Sequence, residues 1–145
     1  MIGLIQRVSQ AAVTVDAREV GRIGPGLLVL VGVQPDDDDA RGRRLLERLL
    51  GYRVFPDAEG RMNLSLRDVS GGLLLVPQFT LAADTRKGTR PGFSTAAPPQ
   101  MAAQLFDNLC SHAKSVYHDV QSGRFGADMD VQLTNRGPVT FWLDA

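Results

Sequence analysis

Cysteine, histidine and tryptophan are nearly absent: the 145 residues hold one Cys, two His and one Trp. A lone Cys110 cannot close a disulfide within the chain, so a reducing cytoplasm is the expected location. His112 and His118 cannot build a histidine-rich metal site, and neither a metal nor a cofactor is expected. Net charge is lacking too, with 16 Lys and Arg against 16 Asp and Glu. No overall field draws nucleic acid, and any RNA contact must come from a local patch. No stretch reaches the roughly 18 consecutive apolar residues of a membrane span. Met1 to Arg7 also lacks the basic-then-apolar layout of a secretory signal, so no membrane partner is expected. Standard hydrolytic signatures are missing: there is no G-x-S-x-G elbow, no H-E-x-x-H pair and no Walker loop. An enzyme built from this chain must draw on backbone dipoles and on reactivity already present in its substrate.

What is present is an ordinary globular composition, 43% hydrophobic and 22% charged, with no repeat or low-complexity tract. The period-2 pattern from Leu4 to Val20, with Val8, Ala12, Val13 and Val15 among polar residues, reads as one long strand or two short ones. Gly21 and Gly24-Pro25-Gly26 read as turns. Leu27 to Val33 is continuously apolar and reads as a central strand buried on both faces. A helix follows, with Leu45, Leu46, Leu49 and Leu50 on one side, ended by Gly51. Tyr52 to Phe55, Asn63 to Leu66 and Gly72 to Val76 read as strands, and Ala82 to Pro98 as a long loop of the kind that carries function. Pro98 and Pro99 start a second helix running to about Tyr117, with Met101, Leu105, Leu109, Ala113 and Val116 on its apolar face. Met129 to Thr134 and Val139 to Leu143 read as two closing strands. The predicted fold is α+β: a mostly antiparallel sheet or barrel with two packed helices, one domain over residues 1–145.

Several conspicuous residues have plain readings. Asp36 to Asp39 read as a cap for the first helix, where N–H groups are unpaired and the macrodipole favours negative charge. Arg41, Arg43, Arg44 and Arg48 read as a solvated helix face, with phosphate contact the minority alternative. His112 reads as a hydrogen-bonded packing residue, His118 as a residue at a helix C-terminus, Cys110 as a buried inert thiol, and Trp142 as core or interface.

Two motifs carry chemistry. In Asn135-Arg136-Gly137-Pro138-Val139-Thr140, the Gly-Pro step presents two carbonyl oxygens with no side chain in front of them, and its peptide bond is of the type that can be cis. In Val76-Pro77-Gln78-Phe79-Thr80-Leu81, a strand runs out into the long loop, where backbone N–H groups become available to a ligand. Alternation would send Gln78 and Thr80 to one side and Phe79 to the other. Alone, the first is a hairpin connection and the second a strand end with a polar face. Together with Gln6-Arg7-Val8, Tyr52-Arg53-Val54-Phe55, Lys87-Gly88-Thr89-Arg90-Pro91-Gly92-Phe93 and Gly123-x-Phe125-Gly126-Ala127-x-Met129, in order from Met1 to about Phe141, they resemble the D-aminoacyl-tRNA deacylases. One departure is Pro77, where that family usually has serine. No serine hydroxyl can be required there. Proline at that position also resembles a related deacylase that edits a mischarged L-alanine, but Phe79 and Val139-Thr140 keep the chain nearer the D-specific branch.

The resemblance implies a homodimer that hydrolyses the ester joining a D-amino acid, or glycine mischarged on tRNA-Ala, to the 3′ end of tRNA. It implies that Gly137-Pro138 is a cis step reaching across the interface into the partner's site, where its carbonyls grip the substrate ammonium and an L side chain collides with the backbone. Arg7 would orient that segment. Phe79 and Thr80 would supply oxyanion-hole N–H groups, Gln78 would place the ribose or carbonyl, and Phe125 with Met129 would line the terminal adenosine pocket. Thr80 is the obvious nucleophile, but no base is evident, which favours activation of water with help from the ribose 2′-OH. Two other readings stand beside it: a non-catalytic dimeric barrel that binds RNA 3′ ends through Arg86, Lys87 and Arg90, and an esterase that recruits His112 or His118.

Overall fold

A computed structural model describes residues 1–145. The chain opens with a 14-residue strand, β1 (Ile2–Val15), and turns through Asp16 and Ala17, both at positive φ, into β2 (Arg18–Ile23). The turn therefore lies at Asp16-Ala17; Gly21, read as a turn from sequence, sits inside β2 opposite Val13. The apolar run forms β3 (Gly26–Gly32), paired antiparallel to the first half of β1. Next come α1 (Asp39–Gly51), the short pair β4 (Phe55–Pro56) and β5 (Met62–Leu64), and the one-turn helix α2 (Leu66–Val69). Then follow β6 (Gly72–Pro77), a 3-10 turn (Phe79–Ala82), α3 (Pro99–Val116), β7 (Val120–Ser122) and β8 (Asp130–Asp144).

The sheet order is β2-β1-β3-β6-β7, with β8 on the other side of β1. Pairs involving β1 are antiparallel, whereas β3/β6 and β6/β7 are parallel, so the sheet is mixed. The parallel pairs arise because α1 and α3 act as crossovers between strands of one sheet. The sheet curls almost shut: a Cβ at Gly21 of β2 would stand 3.2 Å from the carbonyl oxygen of Ser122 in β7. Inside the curl, Val8, Ala11, Val13, Ile23, Leu28, Leu74 and Val76 form one core. On the outer face, Ile5, Leu27, Val29, Leu73 and Leu75 meet Leu45, Leu46, Leu49 and Leu50 of α1, and Ala102, Phe106, Leu109 and Ala113 of α3. This two-sided burial explains why β3 and β6 lack alternation.

Other expectations are corrected in detail. Tyr52 to Phe55 is strand only at its end, and Asn63 to Leu66 is divided, because Ser65 and Asp68 form a reciprocal capping box that starts α2 instead of extending β5. The buried stripe of α3 is Ala102, Phe106, Leu109, Cys110 and Ala113, whereas Val116 is exposed. Of the four aspartates, Asp38 caps α1 by accepting from the Arg41 N–H. Asp37 is buried and instead accepts from the Met1 ammonium and the Gln34 N–H. Arg41 lies 3.4 Å from Asp37, and Arg48 donates to the Asp144 carbonyl. Trp142 is 52% exposed in the single chain and so is not core.

The largest correction concerns the end of the chain. Residues 130–144 form one strand, with no hairpin. Its register with β1 shifts, Gln6 facing Thr140 while Val8 faces Asn135, so Arg136 to Val139 loop out opposite Arg7.

Candidate active site

Two features from the sequence motifs take shape. The first is an apolar cleft of about 420 Å³ at the carboxyl end of β6. Its walls come from Val76, Pro77, Gln78 and Phe79 on one side and Ala97, Pro99 and Ala102 at the start of α3 on another. Phe125, Gly126, Ala127, Met129 and Val131 close it. Ends of parallel strands are where such sheets hold ligands, because the connections diverge there. Gly123 allows this wall to form: a Cβ there would meet Met129 Sδ at 2.8 Å and Pro77 Cδ at 3.3 Å. Pro77 fits a strand end. In the β6 ladder Leu73 and Leu75 bond toward β7 while Gln78 donates to the Val31 carbonyl at 2.7 Å, so the N–H that Pro77 lacks would face the β7 side, beyond its end at Ser122.

At the mouth of the cleft the backbone leaves the strand. Sequence alternation would put Gln78 and Thr80 on one side; instead Phe79 to Ala82 curl into a 3-10 turn, and the Gln78 Nε2 donates to Thr80 Oγ1. A 3-10 turn leaves its first N–H groups without an internal acceptor, and here they belong to Phe79 and Thr80. Phe79 is 52% exposed, and its ring packs on Phe93 at 5.2 Å between centroids. Gln78, Phe79, Phe125 and Met129 thus meet around one cleft, whereas Thr80 faces out beside it.

The second feature is the looped-out Gly137-Pro138 step, joined by a cis peptide bond and exposed. The Arg7 guanidinium ties it down: Nε donates to the Arg136 carbonyl at 2.9 Å and Nη1 to the Val54 carbonyl at 2.7 Å. Asn135 clamps it from the other side. Its Oδ1 accepts from the Val139 N–H at 2.6 Å, and its Nδ2 donates to the Val139 carbonyl at 3.2 Å and to Thr140 Oγ1 at 2.9 Å. Gly137 has φ +143°, and a Cβ there would meet Val139 Cγ2 at 2.7 Å and Arg7 Nη2 at 3.1 Å. No other residue type fits this backbone without strain. Asn135 was legible only as a motif member. Its amide is the right size to span the bulge, a signal visible once the register shift is known.

Within one chain these features stay apart. Val131 lines the cleft, and Gly137 lies six residues further along β8, about 20 Å at 3.3 Å per residue of strand. Neither histidine reaches the cleft. His112 lines a separate polar crevice with Asp39, Arg43 and Asn108, and the His118 ring packs on Tyr117 at 4.6 Å. The esterase reading therefore has no base at Thr80. Cys110 is buried, and burial raises its thiol pKa to about 11, as expected of an inert thiol. No three or more His, Cys, Asp or Glu side chains stand grouped as metal ligands, and no helix is long and apolar enough to cross a membrane.

Comparisons with known proteins identify the family and the fold. The family model described as D-Tyr-tRNA(Tyr) deacylase matches residues 4–144. A D-aminoacyl-tRNA deacylase of Alkalilimnicola ehrlichii is 63% identical over 145 residues, covering 100% of this chain and 97% of that one. One from Pseudomonas putida is 63% identical over 143 residues, 99% of each chain. A solved structure titled c-Myc DNA Unwinding Element Binding Protein superposes with a TM-score of 0.94 at 33% identity, covering 100% of this chain and 99% of that one. Another, titled as a probable eukaryotic D-amino acid tRNA deacylase, has a TM-score of 0.84 at 22% identity over 99% of this chain and 98% of that one, a likeness of fold. The architecture is thus a known type of curled sheet with helices packed outside it, shared end to end with both solved structures. The chain belongs to the D-Tyr-tRNA(Tyr) deacylase family.

Proposed function

We propose that this protein is a hydrolase of D-aminoacyl-tRNA, acting on the ester at the 3′ terminus. Identity of 63% over the whole chain to a relative named D-aminoacyl-tRNA deacylase is the observation that carries this reading. In the reaction water attacks the ester carbonyl carbon, the bond to the ribose oxygen breaks with a proton passing to that oxygen, and free D-amino acid and tRNA leave. The Phe79 and Thr80 N–H groups stabilise the oxyanion; losing one donor of this kind typically costs about 2.7–4 kcal/mol. Thr80 Oγ already accepts from Gln78, which suits a supporting role better than a nucleophile's. The neighbouring 2′-OH of the substrate ribose helps place and activate the water. Gln78 places the ribose or carbonyl, and Phe125 and Met129 hold the terminal adenosine in the apolar cleft.

Handedness is judged in this proposal by Gly137-Pro138 of a second copy, in a homodimer, because the step and the cleft of one chain lie far apart. Its bare carbonyls accept from the substrate ammonium, held in place by Arg7 and Asn135. An L side chain strikes the backbone there, a D side chain points to solvent, and glycine has nothing to strike, so glycyl-tRNA-Ala is also cleaved. Purified protein should release D-tyrosine from D-tyrosyl-tRNA and leave L-tyrosyl-tRNA intact, and a substrate ending in 2′-deoxyadenosine should react far more slowly. Equal rates on both enantiomers would end the chiral scheme. Protection of D-tyrosyl-tRNA without release would instead favour a barrel that only binds RNA ends.

A further inference from the structure

Beside the cleft lies a charged hairpin that the scheme above does not use. Asp84 and Gly92 pinch its base with reciprocal backbone hydrogen bonds of 2.7 and 2.9 Å. Behind the pinch, Thr95 Oγ1 donates to the Ala82 carbonyl at 2.6 Å and the Ala97 N–H to Val33 at 3.0 Å. The hairpin is therefore fastened to the 3-10 turn and to the sheet. Between Asp84 and Ser94 stand three cations, Arg86, Lys87 and Arg90, and one carboxylate, around a shallow basin of about 400 Å³. On a chain with net charge 0, this is a local excess of two positive charges.

The three cations differ. Arg86 is spent on Asp84, with Nε and Nη2 donating to its two oxygens at 2.9 and 2.8 Å. That fork, with the Arg86 N–H, holds the Asp84 carboxyl well below the usual carboxylate range, so it carries its charge at any physiological pH. Lys87 and Arg90 line the same basin, are exposed and have no ion-pair partner. At the cleft end of the hairpin stand two exposed rings in contact, Phe93 at 46% exposure and Phe79 at 52%. Free cations beside exposed aromatic faces are what single-stranded nucleic acid binds, the cations taking phosphates and the rings taking bases.

We propose that this hairpin docks the single-stranded RNA leading to the cleft, with Lys87 and Arg90 each neutralising one backbone phosphate and Phe93, backed by Phe79, stacking one base. The inference rests on the tRNA reading above and adds to it a second anchoring point outside the reacting ester. Each single-strand phosphate contact contributes about 0.7 to the slope of log affinity against log salt. Two contacts give about 1.4, worth about 25-fold at 0.1 M salt relative to 1 M. Stacking carries no such salt term.

The test uses the full chain and a fluorescent single-stranded RNA 12-mer, with anisotropy read from 0.05 to 0.5 M salt. Lys87→Gln/Arg90→Gln should flatten the slope by about 1.4. Phe93→Leu should weaken binding at least about fivefold at every salt concentration with the slope retained. Arg43→Gln/Arg44→Gln, the same charge change on the exposed side of α1, should leave both unchanged. A wild-type slope in the Lys87/Arg90 double variant, an equal effect of the α1 pair, or no RNA binding by the native protein overturns the proposal. Deacylation of D-tyrosyl-tRNA by the native protein is scored separately. A working enzyme with an indifferent hairpin sinks only this inference, whereas a protein that binds the 12-mer as described but releases no D-tyrosine sinks the reaction and leaves the hairpin standing.

Discussion

Asn135→Ala isolates the clamp on the Gly137-Pro138 bulge. The substitution removes three hydrogen bonds at once: the acceptor for the Val139 N–H, and the donors to the Val139 carbonyl and Thr140 Oγ1. Val139 is only 6% exposed, so its N–H has little recourse to water. A buried donor left without a partner costs about 1–3 kcal/mol, and the bonds to better-hydrated groups add little. For a chain of 145 residues this is a fall in melting temperature of about 3–10 °C, the protein still folding. Function should suffer differently. In the proposed scheme an L substrate is rejected by collision with carbonyls that must be held closely in place, so a freed bulge should lower the ratio of kcat/KM for D- over L-tyrosyl-tRNA by about tenfold or more. Asn135→Asp separates the effects. It keeps an acceptor for Val139 N–H but sets a carboxylate against the Val139 carbonyl, so it should regain stability more than selectivity. Calorimetry and single-turnover deacylation of both enantiomers give the two readouts. An Asn135→Ala protein with unchanged melting temperature and unchanged selectivity would refute the clamp.

Gly137→Ala forces a side chain into positive φ and against Val139 and Arg7, a strain of about 1–3 kcal/mol, and it should abolish turnover while leaving the far-ultraviolet spectrum native. Thr80→Ala should retain most single-turnover activity, since only the hydroxyl bonded to Gln78 is lost; complete loss with intact substrate binding would make Thr80 the nucleophile. Cys110, raised by burial from 9.0 to about 11, holds its proton more tightly folded than unfolded. Its contribution to stability is full below pH 9 and declines as pH rises through about 11. A thiol reagent at pH 8 should therefore leave the native protein unlabelled and label it promptly in guanidinium, and rapid native labelling would show that the helix opens.

Much of the fold was legible because hydrophobic period tracks burial. The leucine stripe of α1, the continuous apolar runs of β3 and β6 and the proline start of α3 all lie where their patterns put them. Errors fell where local chemistry outweighed period. The capping box at Ser65 and Asp68 turned a short apolar run into a helix, and Asp16-Ala17 took the turn that Gly21 had suggested. The direction of strand pairing was not legible, because parallel and antiparallel neighbours of a doubly buried strand carry the same side chains. For the site, residue types around the cleft were readable as motifs, but the curl at Phe79 was not, nor was the work of Asn135 across a register shift between strands far apart in sequence.

Strand β8 has a hydrogen-bonded neighbour on one side only, along 15 residues. So long a free margin would ordinarily invite strand after strand to add, the route to fibres. Pro138 interrupts it with a residue that has no hydrogen to offer, and the loop around it bends the margin out of line. The kink thus also shortens the margin open to another strand, and a variant that straightened it is expected to aggregate more readily.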